Sequence, residues 1–194
     1  MPACPTGAIV APYIIDSNKC IAYLTIEHRG PIPIQLRPLI GDMVFGCDIC
    51  QEVCPINVKL GIPTREPAFR APQQFSKLDL LDILEMDESA FRRRFKQSPI
   101  FRAHRIGLQR NACIVLGNLG DSTAIPALIT ALQLGDILVK GHAAWALGQL
   151  HSLVAKDALK NCFLTEADMW VREEIQLALE SLDFHHKSEG YAAV

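Results

Sequence analysis

Between residues 111 and 182 the chain repeats itself. "NACIVLGNLGD" at 111–121 returns as "HAAWALGQLHS" at 142–152, a spacing of 31 residues, with Ala112/Ala143, Leu116/Leu147, Gly117/Gly148 and Leu119/Leu150 in register. A weaker third copy, "EIQLALESL", occupies 174–182. Further apolar helical stretches accompany the copies, as "AIPALITALQ" does at 124–133, so the repeating unit is a helix pair. A single pair cannot bury its apolar face, and stacking pairs into a solenoid solves that problem. The alternative is a plain helical bundle in which Gly117 and Gly148 only let helices approach closely.

The pattern resembles HEAT-like repeats with a compact unit, and we assign residues 106–184 to them. Upstream, "KLDLLDILEMDESAFRRRFKQS" places Leu78, Leu81, Ile83, Leu84, Phe91 and Phe95 where helices bury them. Asp87 is the expected N-cap of the second of two short helices, which Pro99 should end. Cys113 and Cys162 fall within apolar helical stretches and read as small core residues.

The first 60 residues have a different character. Five of the seven cysteines, Cys4, Cys20, Cys47, Cys50 and Cys54, lie there among loops and prolines. Ala8–Val10 and Tyr13–Ile15 read as short strands, and "GPIPIQLRP" interrupts any helix because proline removes a donor and fixes φ. A lobe with so little core of its own needs a staple. The fold class is therefore mainly α: a small ferredoxin-like lobe at 1–60, a linker at 61–75, a helical connector at 76–105, the repeats, and a flexible tail at 185–194.

An odd cysteine count, the chain length and the lack of a secretory leader argue against a disulfide scaffold and for a reducing compartment, so a cytoplasmic location is expected. The longest apolar runs, at 112–119 and 143–150, are broken by Gly, Asn or Gln and fall short of the roughly 20 residues of a membrane helix. A formal charge of −2 excludes a globally basic binder, although charge is unevenly distributed. In "FRRRFKQSPIFRAHRIGLQR", Arg92, Arg93, Arg94, Lys96, Arg102, Arg105 and Arg110 occur with no acidic residue between Arg92 and Gly120. Such a segment either contacts nucleic-acid phosphates, with Phe or His stacking on unpaired bases, or is a solvated face paired with the acids of 79–88.

"GCDICQEVCP" is the strongest chemical signal. Cys47-x2-Cys50-x3-Cys54-Pro55 has ferredoxin-type spacing, and in two-cluster ferredoxins the cysteine before proline serves the other cluster. Cys4, also followed by proline, then joins Cys47 and Cys50, and Cys20 in "SNKCIA" completes one 4Fe-4S site. Cys54 is left as an orphan ligand of a second, partial site. A four-thiolate zinc site would use the same residues. The six histidines show no ligand spacing with the cysteines, and no nucleophile–base pair, phosphate loop or paired-carboxylate site is legible.

"CPTGAIVAPYIIDSNKCIAYLTIEHRGPIP", "GCDICQEVCP" and "GLQRNACIVLGNLGD", leading into the repeats, resemble the C-terminal part of epoxyqueuosine reductases. The resemblance implies a cytoplasmic oxidoreductase that converts epoxyqueuosine in a tRNA anticodon stem-loop to queuosine. It also implies a cobalamin-binding catalytic domain and two 4Fe-4S clusters. This chain contains no counterpart of that catalytic domain, so no catalytic residue is assigned and cobalamin is not expected to bind the chain alone. The expectation is an electron-transfer and tRNA-binding half, a fragment or the product of a split or misassigned reading frame, inactive without a separately encoded catalytic domain. A HEAT-repeat binding module and a free-standing ferredoxin-like carrier are the alternatives.

Overall fold

The computed structural model describes residues 2–69 and 78–191, with Ala68 and residues 185–191 described in backbone only. Residues 70–75 of the expected linker and 192–194 of the expected tail lie outside the described residues.

Strands β1 (Ile9–Ala11) and β2 (Ile14–Ile15) form an antiparallel hairpin with Ile9 opposite Ile15. The first strand starts one residue later than expected; Ala8 is buried, and its carbonyl accepts the Asp16 amide at 2.8 Å. Asp16 caps a 3-10 turn over Ser17–Lys19, and Cys20 leads into α1 (Ile21–Ile26), which buries Ile21, Leu24 and Thr25. The proline segment allows only a 3-10 turn at Ile34–Leu36 and the short α2 (Arg37–Ile40). Pro38 sits in the first turn of α2, where its missing N–H costs nothing. Two more short helices follow, α3 (Ile49–Glu52) and α4 (Pro55–Leu60), the latter also opening on proline.

Helices α5 (Leu80–Glu85) and α6 (Glu88–Phe95) are each capped by an aspartate: Asp79 accepts from Leu81 N–H at 2.9 Å and Asp87 from Ala90 N–H at 2.7 Å. The second helix stops at Phe95, before Pro99. Ser98 instead caps a new 3-10 turn, Pro99–Ala103, through Ile100 N–H at 3.2 Å. Phe91 packs on Phe95 and Phe101 at centroid distances of 5.3 and 5.6 Å, closing this connector against the core.

Next come α7 (His104–Leu119), α8 (Ile125–Leu134), α9 (Ile137–Gln149), α10 (Leu153–Thr165) and α11 (Met169–Tyr191). α7, α9 and α11 lie side by side in one layer, while α8 and α10 pack on α9 and on each other in a second. The repeated glycines make that stacking possible. A Cβ on Gly117 would come within 3.0 Å of Ala146 Cα, and one on Gly148 within 3.0 Å of Ala178 Cα. Each repeat thus meets the next at a glycine–alanine contact, a recurrence that a plain bundle does not require. Cys113 is fully buried in this core and Cys162 is packed against it.

The cysteine-rich lobe docks on the solenoid along a polar seam as well as through Ile21, Leu24, Ile32 and Ile40. Arg37 donates from Nη1 and Nη2 to both carboxylate oxygens of Glu174 on α11, at 2.7 and 2.6 Å, and lies 5.6 Å from the Trp145 ring centroid. His142 on α9 is wholly buried; its Nδ1 bonds the Leu138 carbonyl at 2.7 Å, leaving Nε2 to accept the Ile32 amide at 3.2 Å. From α7, Asn118 donates to the Arg37 and Gly41 carbonyls, each at 2.9 Å.

Candidate metal centre

Three separated segments bring four thiols to one apolar cavity. Cys4, Cys20, Cys47 and Cys50 line it together with Pro5, Ala8, Ile9, Ile15, Ile21 and Ile49. Cys4 stands on a tight turn that Gly7 makes at φ +62°, bonding its N–H to the Cys4 carbonyl at 3.2 Å. That turn aims the Ala8 amide at Cys4 Sγ, 3.3 Å away, and sets the Thr6 hydroxyl 3.5 Å from it. Cys20 precedes α1, Cys47 follows Gly46, and Cys50 lies in the first turn of α3.

Electrostatics reflect this crowding. Burial pushes the Cys47 thiol up, and Cys50, Cys20 and Cys4 push it further, as neighbouring like charges must. Burial also raises Cys4, but hydrogen bonds from the Thr6 hydroxyl and the Ala8, Thr6 and Ile9 amides prevail and leave it below the ordinary thiol value. Cys113, in the repeat core, is pushed up to about 12 by burial.

Cys54 does not line the cavity. It caps α4 from a half-buried position ahead of Pro55, beside exposed Val53, Ile56 and Val58. Among the described residues no three His, Cys, Asp or Glu side chains close on one point as a single ion requires. Four soft thiols around an apolar space, with no carboxylate or imidazole in the lining, fit an iron–sulfur cluster.

The basic segment divides. Arg110, expected at a nucleic-acid surface, is 1% exposed: its guanidinium donates to the Leu24, His28 and Gly30 carbonyls and to Asn111 Oδ1. It is a structural residue, and burial, with the charge of Arg29, lowers its pKa to about 10. Arg92 pairs with Glu88 at 2.7 Å, Arg94 approaches Asp82 at 4.0 Å, Arg105 approaches Glu88 at 3.5 Å, and Arg102 pairs with Glu27. Arg93 bonds the Ser89 hydroxyl at 3.0 Å, and Lys96 is exposed at the end of α6.

Sequence reasoning missed two buried polar residues beside the thiol segments. Thr25 and Asn111 are buried between the cysteine segments and α7. The available signal was the polar Arg110–Asn111 pair heading an otherwise apolar repeat.

Residues 1–57 match the 4Fe-4S double cluster binding domain family, and residues 101–180 match HEAT repeats. Among curated proteins, the chain is 42% identical over 157 residues to the epoxyqueuosine reductase of Alicycliphilus denitrificans, covering 77% of this chain and 43% of the relative. It is 44% identical over 147 residues to that of Xanthomonas campestris, covering 75% and 41%. Among solved structures, epoxyqueuosine reductase from Bacillus subtilis superposes with a TM-score of 0.86 at 30% identity, over 93% of this chain and 48% of that one. An epoxyqueuosine reductase with an epoxyqueuosine-modified tRNA-Tyr stem loop gives 0.87 at 30% identity, over 94% and 48%. The chain therefore spans less than half the length of these relatives.

Proposed function

We propose that this chain, similar to epoxyqueuosine reductases over about three quarters of its length, is the electron-transfer and tRNA-binding half of such an enzyme. One observation carries the reading: four thiols from three segments line a single apolar cavity inside the stretch that matches a 4Fe-4S binding family. Cys4, Cys20, Cys47 and Cys50 would hold one 4Fe-4S cluster. A bound cluster supplies one-electron transfer at a potential set by burial and by hydrogen bonds to sulfur. Ala8, Ile9, Ile15, Ile21 and Ile49 give the site an apolar lining, and the Thr6 hydroxyl and Ala8 amide stabilise negative charge on Cys4 Sγ.

Two cubane clusters take about eight thiolates, whereas the matched stretch offers five. Cys54 is the one outside the cavity, and we assign it as the orphan ligand of a second, partial site. No residue of this chain is assigned to cobalamin. Turnover of epoxyqueuosine to queuosine is proposed to need the part of the relatives that this sequence does not span, supplied as a separate catalytic domain. We place the substrate tRNA stem-loop near the exposed cations Arg93 and Lys96, with Arg92, Arg94, Arg102 and Arg105 reaching phosphates by exchanging their carboxylate partners.

Anaerobic reconstitution with iron and sulfide tests the reading. The chain should take up about four of each, with a visible absorption band that bleaches on dithionite reduction. Cys20→Ser should abolish uptake and Cys54→Ser should leave it intact. Uptake that survives Cys20→Ser but is destroyed by Cys54→Ser would reject the ligand assignment.

A further inference from the structure

Between the cysteine segments lies a hydroxyl with two roles. Thr25 Oγ1 donates to the Ile21 carbonyl at 2.7 Å and accepts the Gly46 amide at 2.9 Å. Ile21 directly follows Cys20, and Gly46 directly precedes Cys47. One buried side chain therefore joins the residue after one thiol to the residue before another. Gly46 reaches this contact at φ +79°, a conformation open to glycine without strain.

The solenoid holds the same junction from behind. Asn111 Nδ2 on α7 donates to the Thr25 carbonyl at 2.7 Å and the Val44 carbonyl at 2.9 Å. Its Oδ1 accepts from Arg110 Nε at 3.0 Å and from Arg110 Nη2 at 2.8 Å, so the carboxamide cannot flip without breaking four bonds. Thr25, Arg110 and Asn111 are each at most 1% exposed. Bonds of this kind, made away from water and fully paired, fix geometry more than they add stability.

We infer that Thr25 is a positioning residue for the thiol cavity: its hydroxyl, on a residue whose backbone carbonyl is held by Asn111 of the first repeat helix, sets the separation of Cys20 and Cys47. The inference rests on the cluster reading above for what those thiols hold, but not for their placement. Supporting residues around metal sites commonly change affinity or activity by about 10–100-fold when lost. Thr25→Val keeps the shape of the side chain, leaves the Gly46 N–H without its acceptor and touches no thiol.

Two readouts separate this inference from the cluster assignment. In the reduced, metal-free full chain, dibromobimane should bridge Cys20 to Cys47, quantified by mass spectrometry of the linked peptides. Thr25→Val should lower that yield several-fold and Thr25→Ser should restore it; an unchanged yield overturns the inference. In the iron-loaded protein, Thr25→Val should speed iron loss to a chelator about tenfold, with Thr25→Ser close to the parent. If the parent takes up no iron while the bridging yield still falls, positioning stands and the cluster reading fails. Should Thr25→Val lose its helical signal, amide exchange in the unmodified chain decides: Gly46 N–H should exchange far more slowly than an exposed loop amide, and an unprotected Gly46 overturns the inference.

Discussion

Arg37 and Glu174, 137 residues apart, meet as a bidentate ion pair with side-chain exposures of 2% and 6%. The pair fastens the short helix of the cysteine lobe to the last described helix of the solenoid. Removing one partner strands the other as a buried charge, which costs about 3–5 kcal/mol. Glu174→Ala should lower the urea unfolding free energy by that amount, with both lobes unfolding in one transition. Replacing both residues together, Arg37→Met with Glu174→Leu, should recover most of the loss, since well-packed apolar substitutes often match a buried pair.

His142 gives the fold a pH dependence. Burial lowers its pKa well below the ordinary value of 6.5, and the nearby charges of Arg37 and Arg110 add to the effect, while the bond to the Leu138 carbonyl opposes it. The folded state keeps the ring neutral, so below about pH 6.5 the unfolded chain binds the extra proton. Stability from this group is whole above that pH and falls as pH drops, by at most about 1.4 kcal/mol per unit. Urea titrations between pH 7 and 5 should show this slope, and His142→Gln should flatten it.

Glycines on α7 should respond in opposite directions. A Cβ at Gly117 meets Trp145 Cζ3 at 2.8 Å and Ala146 Cα at 3.0 Å, whereas one at Gly107 meets nothing within 4 Å. Gly117→Ala should destabilise by about 1–3 kcal/mol through overpacking, beyond any gain in helix propensity. Gly107→Ala should stabilise by about 0.5–1 kcal/mol. Thermal unfolding of the two variants checks the pair.

Thiol reactivity should follow environment. In the metal-free chain at pH 8, iodoacetamide should label Cys4, whose pKa is lowered, faster than Cys47, whose pKa is raised. Cys113, pushed up to about 12 and fully buried, should stay unlabelled until the chain unfolds. Quenched labelling with peptide mapping gives the order directly.

For the proposed RNA surface, Arg93→Glu with Lys96→Glu should weaken binding of an anticodon stem-loop and reduce the salt slope by about one for each phosphate no longer neutralised. Arg110→Met should act differently, by destabilising the fold. Equal binding by the Arg93/Lys96 variant and the parent would remove α6 from the interface.

The repeats and the cysteine groups were legible because helical period and ligand spacing are local properties. Asp87 was recognisable as a cap for the same reason. Arg110 was not, because a run of cations does not say which of them turns inward; α1 and the turn after it, brought against α7 by folding, supply the carbonyls of Leu24, His28 and Gly30 that hold it. Arg37 and Glu174 carry no local signature of their pairing at all. Thr25 reads as one more residue of an apolar helix until Gly46 is seen beside it.

Asn111 and Asn118 lie seven residues apart on α7, close to two helical turns, and each spends both amide hydrogens on carbonyls of the cysteine lobe. The spacing works as a two-pin key. Sliding the lobe by one turn would break all four bonds and strand the buried Asn111 amide and Thr25 carbonyl, at about 1–3 kcal/mol for each group left buried and unpaired, so a single alignment is selected. The segments that carry the thiols are consequently indexed to the first repeat helix, not only to their own short elements.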